Sequence, residues 1–171
     1  MRDRVVPGPG QESVWDYPRP PRVEESSRRV RVSVGGVTIV DTRHAKRVLE
    51  TSSPPVYYVP ATEVAMEHLR PATGTTFCDA TGTTFCEWKG TAGYFDIAVG
   101  DRTARRAAWT YADPSPGYET IRGHIAFYPG RVDTCLLDDE PVRPQPGDYY
   151  GGWLTDDIVG PFKGERGTEG W

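Results

Sequence analysis

Residues 28–40 read RRVRVSVGGVTIV, and their pattern decides the fold class. Val30, Val32 and Val34 alternate with Arg29, Arg31 and Ser33, the period of a strand with one apolar and one polar face. Gly35-Gly36 tolerates positive φ at both turn positions, and residues 37–40 resume with a β-branched run, so a tight hairpin is predicted. The same signature recurs outward from it. Residues 56–59 form a short strand between prolines. Residues 90–99 place Phe95, Ile97 and Val99 on one face and Tyr94, Asp96 and Ala98 on the other. Further strands are predicted at 107–111, around Trp109 and Tyr111, and at 124–128 and 132–137, on either side of Pro129-Gly130. Short strands punctuated by Gly and Pro predict a mainly β, antiparallel domain. Two short helices are also expected. One covers 43–50, capped by Asp41 or Thr42 with Ala45, Val48 and Leu49 on one face; the other covers 62–69, capped by Thr62.

The chain has 171 residues, including 19 Gly and 16 Pro, and these breakers concentrate at its ends. Residues 1–22 read as a Pro/Gly-rich arm whose second half, from Ser13, lies against the body through Trp15 and Tyr17. Residues 23–142 read as the domain. Residues 143–171 carry Tyr149, Tyr150, Trp153, Ile158, Phe162 and Trp171 among glycines, more large rings than a free linker needs, so this tail is expected to pack over the sheet. A net charge of −4 and a pI near 5.4 argue against nucleic-acid binding through bulk positive charge. Mean hydropathy is −0.56, no apolar run approaches the roughly 18 residues of a membrane span, and residues 1–10 lack the apolar core of a secretory leader. A cytoplasmic protein with no membrane partner is expected. Hydrophobic residues at 37% and aromatics at 11% suffice for a core. One oddity is a tandem duplication: ATGTTFC at 72–78 recurs at 80–86, each copy followed by an acid. The second copy runs into the next motif and is assigned to the body.

Five stretches, RRVRVSVGGVTIVDT (28–42), PPVYYVP (54–60), TTFCEWKGTAGYF (83–95), AAWTYADP (107–114) and IAFYPGRVD (125–133), together resemble the domain-of-unknown-function family numbered 427. The flanking ESVWDYPRPPRVE (12–24) and YGGWLTDDIVGPFKG (150–164) are similar to extensions of its actinobacterial members. The resemblance implies a β-tent-like fold, small antiparallel sheets meeting at an angle around a pocket. Many members of that group hold zinc through paired C-x-x-C motifs; this chain has none, which implies a zinc-free variant. A nucleotidyltransferase label also attaches to the family. Glu87 stands where the family usually has proline.

Cys78, Cys86 and Cys135 are odd in number and form no C-x-x-C pair, and His44, His68 and His124 lie in separate segments. Neither a disulfide framework, a metal site nor a cofactor is expected. Trp88, Trp109, Tyr57, Tyr94 and Tyr111 each join an apolar body to a polar tip. Converging, they would line a pocket for a flat or cationic small molecule; dispersed, they fill the core. Lys89, beside Gly90, is a candidate to hold an anion, with Arg31 as its partner. Glu50 is a candidate polar pocket residue. Cys86 becomes a nucleophile only beside a base or a positive field, which Lys89 can supply. The expected function is metal-free binding of a small molecule or modified peptide. The alternatives are a nucleotidyltransferase-type enzyme, a Cys86-dependent redox enzyme, or an interaction module recruiting a protein partner through its tail. For nucleotidyl transfer the chain lacks a Gly-rich phosphate loop, and the neighbours in Asp138-Asp139 and Asp156-Asp157 would point to opposite faces of a strand.

Overall fold

The computed structural model describes residues 3–72, 83–86, 88–147 and 149–171. The first ATGTTFC copy beyond Ala72, with Cys78, and the acid Glu87 lie outside the described residues. Eleven strands carry the architecture: β1 Arg22–Glu25, β2 Val30–Val34, β3 Val37–Thr42, β4 Lys46–Leu49, β5 Val56–Val59, β6 Leu69–Pro71, β7 Thr83–Cys86, β8 Gly90–Val99, β9 Arg102–Thr110, β10 Ile125–Phe127 and β11 Thr134–Leu137. An eight-stranded antiparallel sheet has the order β1-β4-β5-β10-β9-β8-β6, and β7 continues along the β8 edge beyond β6. A four-stranded sheet sets β2 between β3 and β11, with Glu140–Pro141 outside β11. The protein is mainly β, as the alternation predicts, and the sheets are open rather than closed into a barrel.

The opening hairpin forms as read. Gly35 and Gly36 take φ of +58° and +77°, and Val30, Val32 and Val34 are all buried. Their face meets Tyr57, Val59, Ile97 and Phe127 of the large sheet, with Ile39 and Leu137 beside them. Each such side chain taken from water contributes about 1.5–3 kcal/mol, so this interface between the sheets dominates the stability of the fold.

Two expectations are corrected. Residues 43–50 are not helical: Lys46–Leu49 is a strand hydrogen-bonded to β1 on one side and β5 on the other. Thr42 Oγ1 does accept the His44 amide, at 3.0 Å, but the turn opens into extended chain. Val48 and Leu49 then enter different clusters on opposite faces. Eight residues cannot sustain an isolated helix, whereas flanking strands pair with Lys46–Val48 on both sides. Residues 62–69 likewise split into two 3-10 turns, Ala61–Glu63 and Met66–His68, and Leu69 starts β6 opposite Ile97. All helical segments among the described residues are 3-10 turns.

Both ends of the chain join the body. Glu12–Ser13 pairs in parallel with Ile158–Val159. Arg47 holds Glu12 through two hydrogen bonds of 2.8 and 3.1 Å and also donates to Glu24. Arg28 bridges Asp138 and Asp157, each at 2.9 Å. Trp153 is 1% exposed, stacks on Tyr57 at 4.9 Å and donates its indole N–H to the Phe127 carbonyl at 3.0 Å. Among the described residues no helix is long and apolar enough to cross a membrane.

Candidate functional site

The other face of the large sheet is aromatic. Register brings Tyr58 opposite Ala126, Ala126 opposite Trp109, and Trp109 opposite Tyr94, a single row across β5, β10, β9 and β8. Side chains in one row share a face, and the small Ala126 lies fully buried between the large rings. The Trp109 indole N–H donates to the Tyr58 hydroxyl at 3.4 Å, with the rings edge to face at 6.2 Å. Tyr111, two residues beyond Trp109, lies 6.3 Å from Tyr58. Tyr128 stacks on Trp109 at 4.6 Å.

The tail covers this row. The Tyr128 hydroxyl donates to the Tyr149 carbonyl at 3.0 Å, and Tyr149 and Tyr150 meet edge to face at 5.0 Å. Gly151 crosses so closely that a Cβ there would lie 2.3 Å from the Trp109 ring; only glycine allows that approach. Sheet and tail flank a solvent-open cavity of about 210 Å³ lined by Glu50, Tyr58, Cys86, Trp88, Lys89, Tyr94, Trp109, Tyr111, Tyr128, Gln145 and the 149–151 segment, among others. It is smaller than the roughly 300–1,000 Å³ of a typical drug-sized site and has room for a single-ring molecule.

At the β7–β8 end, Cys86, Lys89 and Tyr111 line the cavity together and interact electrostatically. The Lys89 ammonium also sits 5.9 Å from the Tyr111 ring, and the Lys89 carbonyl accepts the Ser115 amide at 2.9 Å. Burial by itself pulls Lys89 down, but Tyr58, Cys86 and Glu50 outweigh it and hold its pKa above the ordinary lysine value. Burial, reinforced by neighbouring phenols, raises Tyr58, Tyr111 and Tyr128 above the ordinary tyrosine value. At neutral pH the lining therefore offers neutral hydroxyls and one ammonium. Among the described lining residues Lys89 is the only cation and Glu50 the only carboxylate.

Of the eight residues singled out from the sequence, Glu50, Trp88, Lys89, Tyr94, Trp109 and Tyr111 meet at this cavity. Tyr57 and Arg31 do not. Tyr57 is 2% exposed in the core between the sheets; a strand alternates, so one residue of the Tyr57-Tyr58 pair had to face away, and Tyr58 is the one in the row. Arg31 lies on the four-stranded sheet, where its neighbours Val30 and Val32 take the core face. Its guanidinium donates instead to the Asp138 carbonyl and the Asp139 carboxylate, both at 2.7 Å. Sequence reasoning missed Tyr58, Tyr128, Gln145 and Tyr149–Gly151 as cavity-lining residues. Only the strand register, which pairs Tyr58 with Ala126, distinguishes them from core or linker. The Asp pairs are engaged elsewhere: Asp138 and Asp157 by Arg28, Asp139 by Arg31 and Asp156 by Arg143. No group of three or more His, Cys, Asp or Glu side chains suited to a metal occurs among the described residues.

A family model described as Domain of unknown function (DUF427) matches residues 22–83 and 79–138. The two stretches overlap at 79–83, so the match divides at the second ATGTTFC copy. A comparison with curated proteins finds no match.

Proposed function

We propose that this chain, which belongs to the family described as domain of unknown function (DUF427), binds a small planar organic molecule in the cleft between sheet and tail. The observation that carries this reading is the register-locked row Tyr58–Ala126–Trp109–Tyr94, whose three rings line a cleft beside the tail segment 149–151. Rings on a rigid sheet offer flat apolar walls, while their hydroxyls, Lys89 and Glu50 supply donors and an acceptor for the edge of a heterocycle. The test is a thermal-shift and calorimetric screen of benzamide, nicotinamide, succinimide and methyl phenyl sulfoxide. Ligand well above its dissociation constant raises Tm by several degrees, and Trp109→Phe should weaken the response. If no compound stabilises the wild-type chain at millimolar concentration, the reading fails.

A second reading rests on the Cys86–Lys89–Tyr111 contacts, which place a free thiol beside an ammonium at the same cavity. In a thiol-dependent enzyme Cys86→Ser abolishes turnover; in a binding protein it leaves benzamide affinity nearly unchanged. For the nucleotidyltransferase alternative, Glu50 is the carboxylate available to the cavity, and release of pyrophosphate from nucleotide and magnesium would be its signature.

A further inference from the structure

Arg106 packs on Tyr94, one ring removed from the cleft, and makes no ion pair among the described residues. It is 7% exposed, and its guanidinium lies 3.9 Å from the centroid of Tyr94, whose ring lines the cavity. Two of its nitrogens, Nε and Nη1, are fully buried with no hydrogen-bond partner. The neighbouring Asp96 carboxylate accepts the Arg106 backbone amide, at 2.8 Å, and does not meet the guanidinium. By contrast Arg28, Arg29, Arg31 and Arg47 each reach a carboxylate. A buried guanidinium with orphaned N–H groups is costly unless something completes it.

The backbone is bent to put it there. Arg106 has φ of +47° and stands where the β8–β9 register shifts between Ala104 and Ala108. Its amide is held by Asp96 and its carbonyl by Arg131 Nη1, at 2.9 Å. Bulges and left-handed non-glycine residues re-aim side chains at functional sites. Beyond Tyr94 the hydroxyl pair Tyr94–Tyr128 continues into the cavity wall, and Arg131 stacks on Tyr128, also at 3.9 Å.

We infer that the cleft ligand is an anion, of the class of small aromatic carboxylates, and that Arg106 is the positioning residue whose uncompensated charge selects it through Tyr94. This rests on the planar-ligand reading above. Within the lining itself stand one cation, Lys89, and one carboxylate, Glu50, which Arg19 also approaches at 4.0 Å; Arg106 behind Tyr94 and Arg131 behind Tyr128 add positive charge one ring away. Across one ring that field acts at short range, within a Debye length, and a carboxylate beside Tyr94 supplies negative charge.

The experiment titrates the full-length chain by calorimetry with benzoate, benzamide and benzylamine, which share a ring and differ in charge. Wild type should bind benzoate at least about tenfold more tightly than benzamide, a difference of about 1.4 kcal/mol, with benzylamine weakest. Arg106→Met should remove that preference by weakening benzoate alone, and Arg106→Lys should restore most of it. Equal affinity for benzoate and benzamide overturns the anion inference while leaving the planar-ligand reading intact. So does preferential binding of benzylamine. Loss of both ligands in a folded Arg106→Met variant makes Arg106 merely structural and also overturns it. Binding of none of the three by wild type overturns both. The wild-type ratio decides the charge question even if Arg106→Met does not fold.

Discussion

The two faces of the large sheet are built by the same strands and meet opposite fates. Toward the four-stranded sheet, Val59, Ile97, Ala108 and Phe127 are aliphatic or plain aromatic side chains, fully buried against valines. On the other face Tyr58, Tyr94, Trp109, Tyr111 and Tyr128 all carry polar tips, and a thin glycine-rich tail covers them in place of a second sheet. A face that only had to exclude water would gain nothing from so many hydroxyls, since each buried one needs a partner. The contrast supports the proposal that the first face stabilises the fold and the second receives a ligand. Trp153 links the two: it plugs the core face, and the 149–151 segment just before it lies over the cleft.

Truncations on the two faces should therefore differ. Trp153→Ala should have the largest effect, a loss of about 3–5 kcal/mol in urea denaturation, because the void sits in a closed core and the tail loses its anchor. Trp109→Ala should cost no more than about 3 kcal/mol, since its ring already borders a cavity and the tail can settle inward. If the two variants were equally destabilised, the cleft face would be a second core and the distinction would collapse. Gly151→Ala comes next. Its methyl would lie 2.3 Å from Trp109, so ring or tail must shift, at about 1–3 kcal/mol, and benzamide binding should weaken. A variant unchanged in both respects would show that the tail does not press on Trp109.

How far the sequence reveals this division varies along the chain. The hairpin at 30–42 is legible because alternation, β-branching and a Gly-Gly turn all agree within a dozen residues. β8 is legible too, down to which face takes Ile97 and which takes Tyr94. Lys46–Leu49 is not, because its extended form depends on β1 and β5, whose pairing partners lie outside the segment; local apolar spacing alone favours a helix. The site shows the same limit. Trp109, Tyr94 and Lys89 stand out as residue types, but choosing Tyr58 over Tyr57 requires the phase of β5, and that phase comes from its register with β10. Arg106 carries no local signal at all: its placement follows from a bulge between two long strands.

The Tyr57-Tyr58 pair sharpens the comparison at a finer scale. Tyr58→Phe removes the acceptor of the Trp109 indole N–H, and Tyr57→Phe removes a buried hydroxyl on the core face, near Arg28 and Arg47. Each should cost about 1 kcal/mol of stability. Only the Tyr58 variant should alter benzamide affinity; an equal effect from Tyr57→Phe would show that the faces communicate.

The smallest effect expected is one of pH, and it belongs to the stabilising side alone. Asp138 takes the Arg29 amide at 3.0 Å and the Arg28 guanidinium at 2.9 Å, and these hold its pKa below the usual 3.8. The native chain then binds fewer protons than the unfolded chain between those two values, so stability falls as pH falls. The contribution is complete above the unfolded pKa and drains away as pH drops through the native one. Asp138→Asn should flatten the loss of stability between about pH 5 and pH 3, measured by Tm against pH, and should leave benzamide binding at pH 7 untouched. Because Arg28 ties Asp138 to Asp157 of the tail, weaker binding at pH 7 in that variant would mean that the cleft depends on how firmly the tail is fastened at its far end. The two faces would then be one mechanical unit.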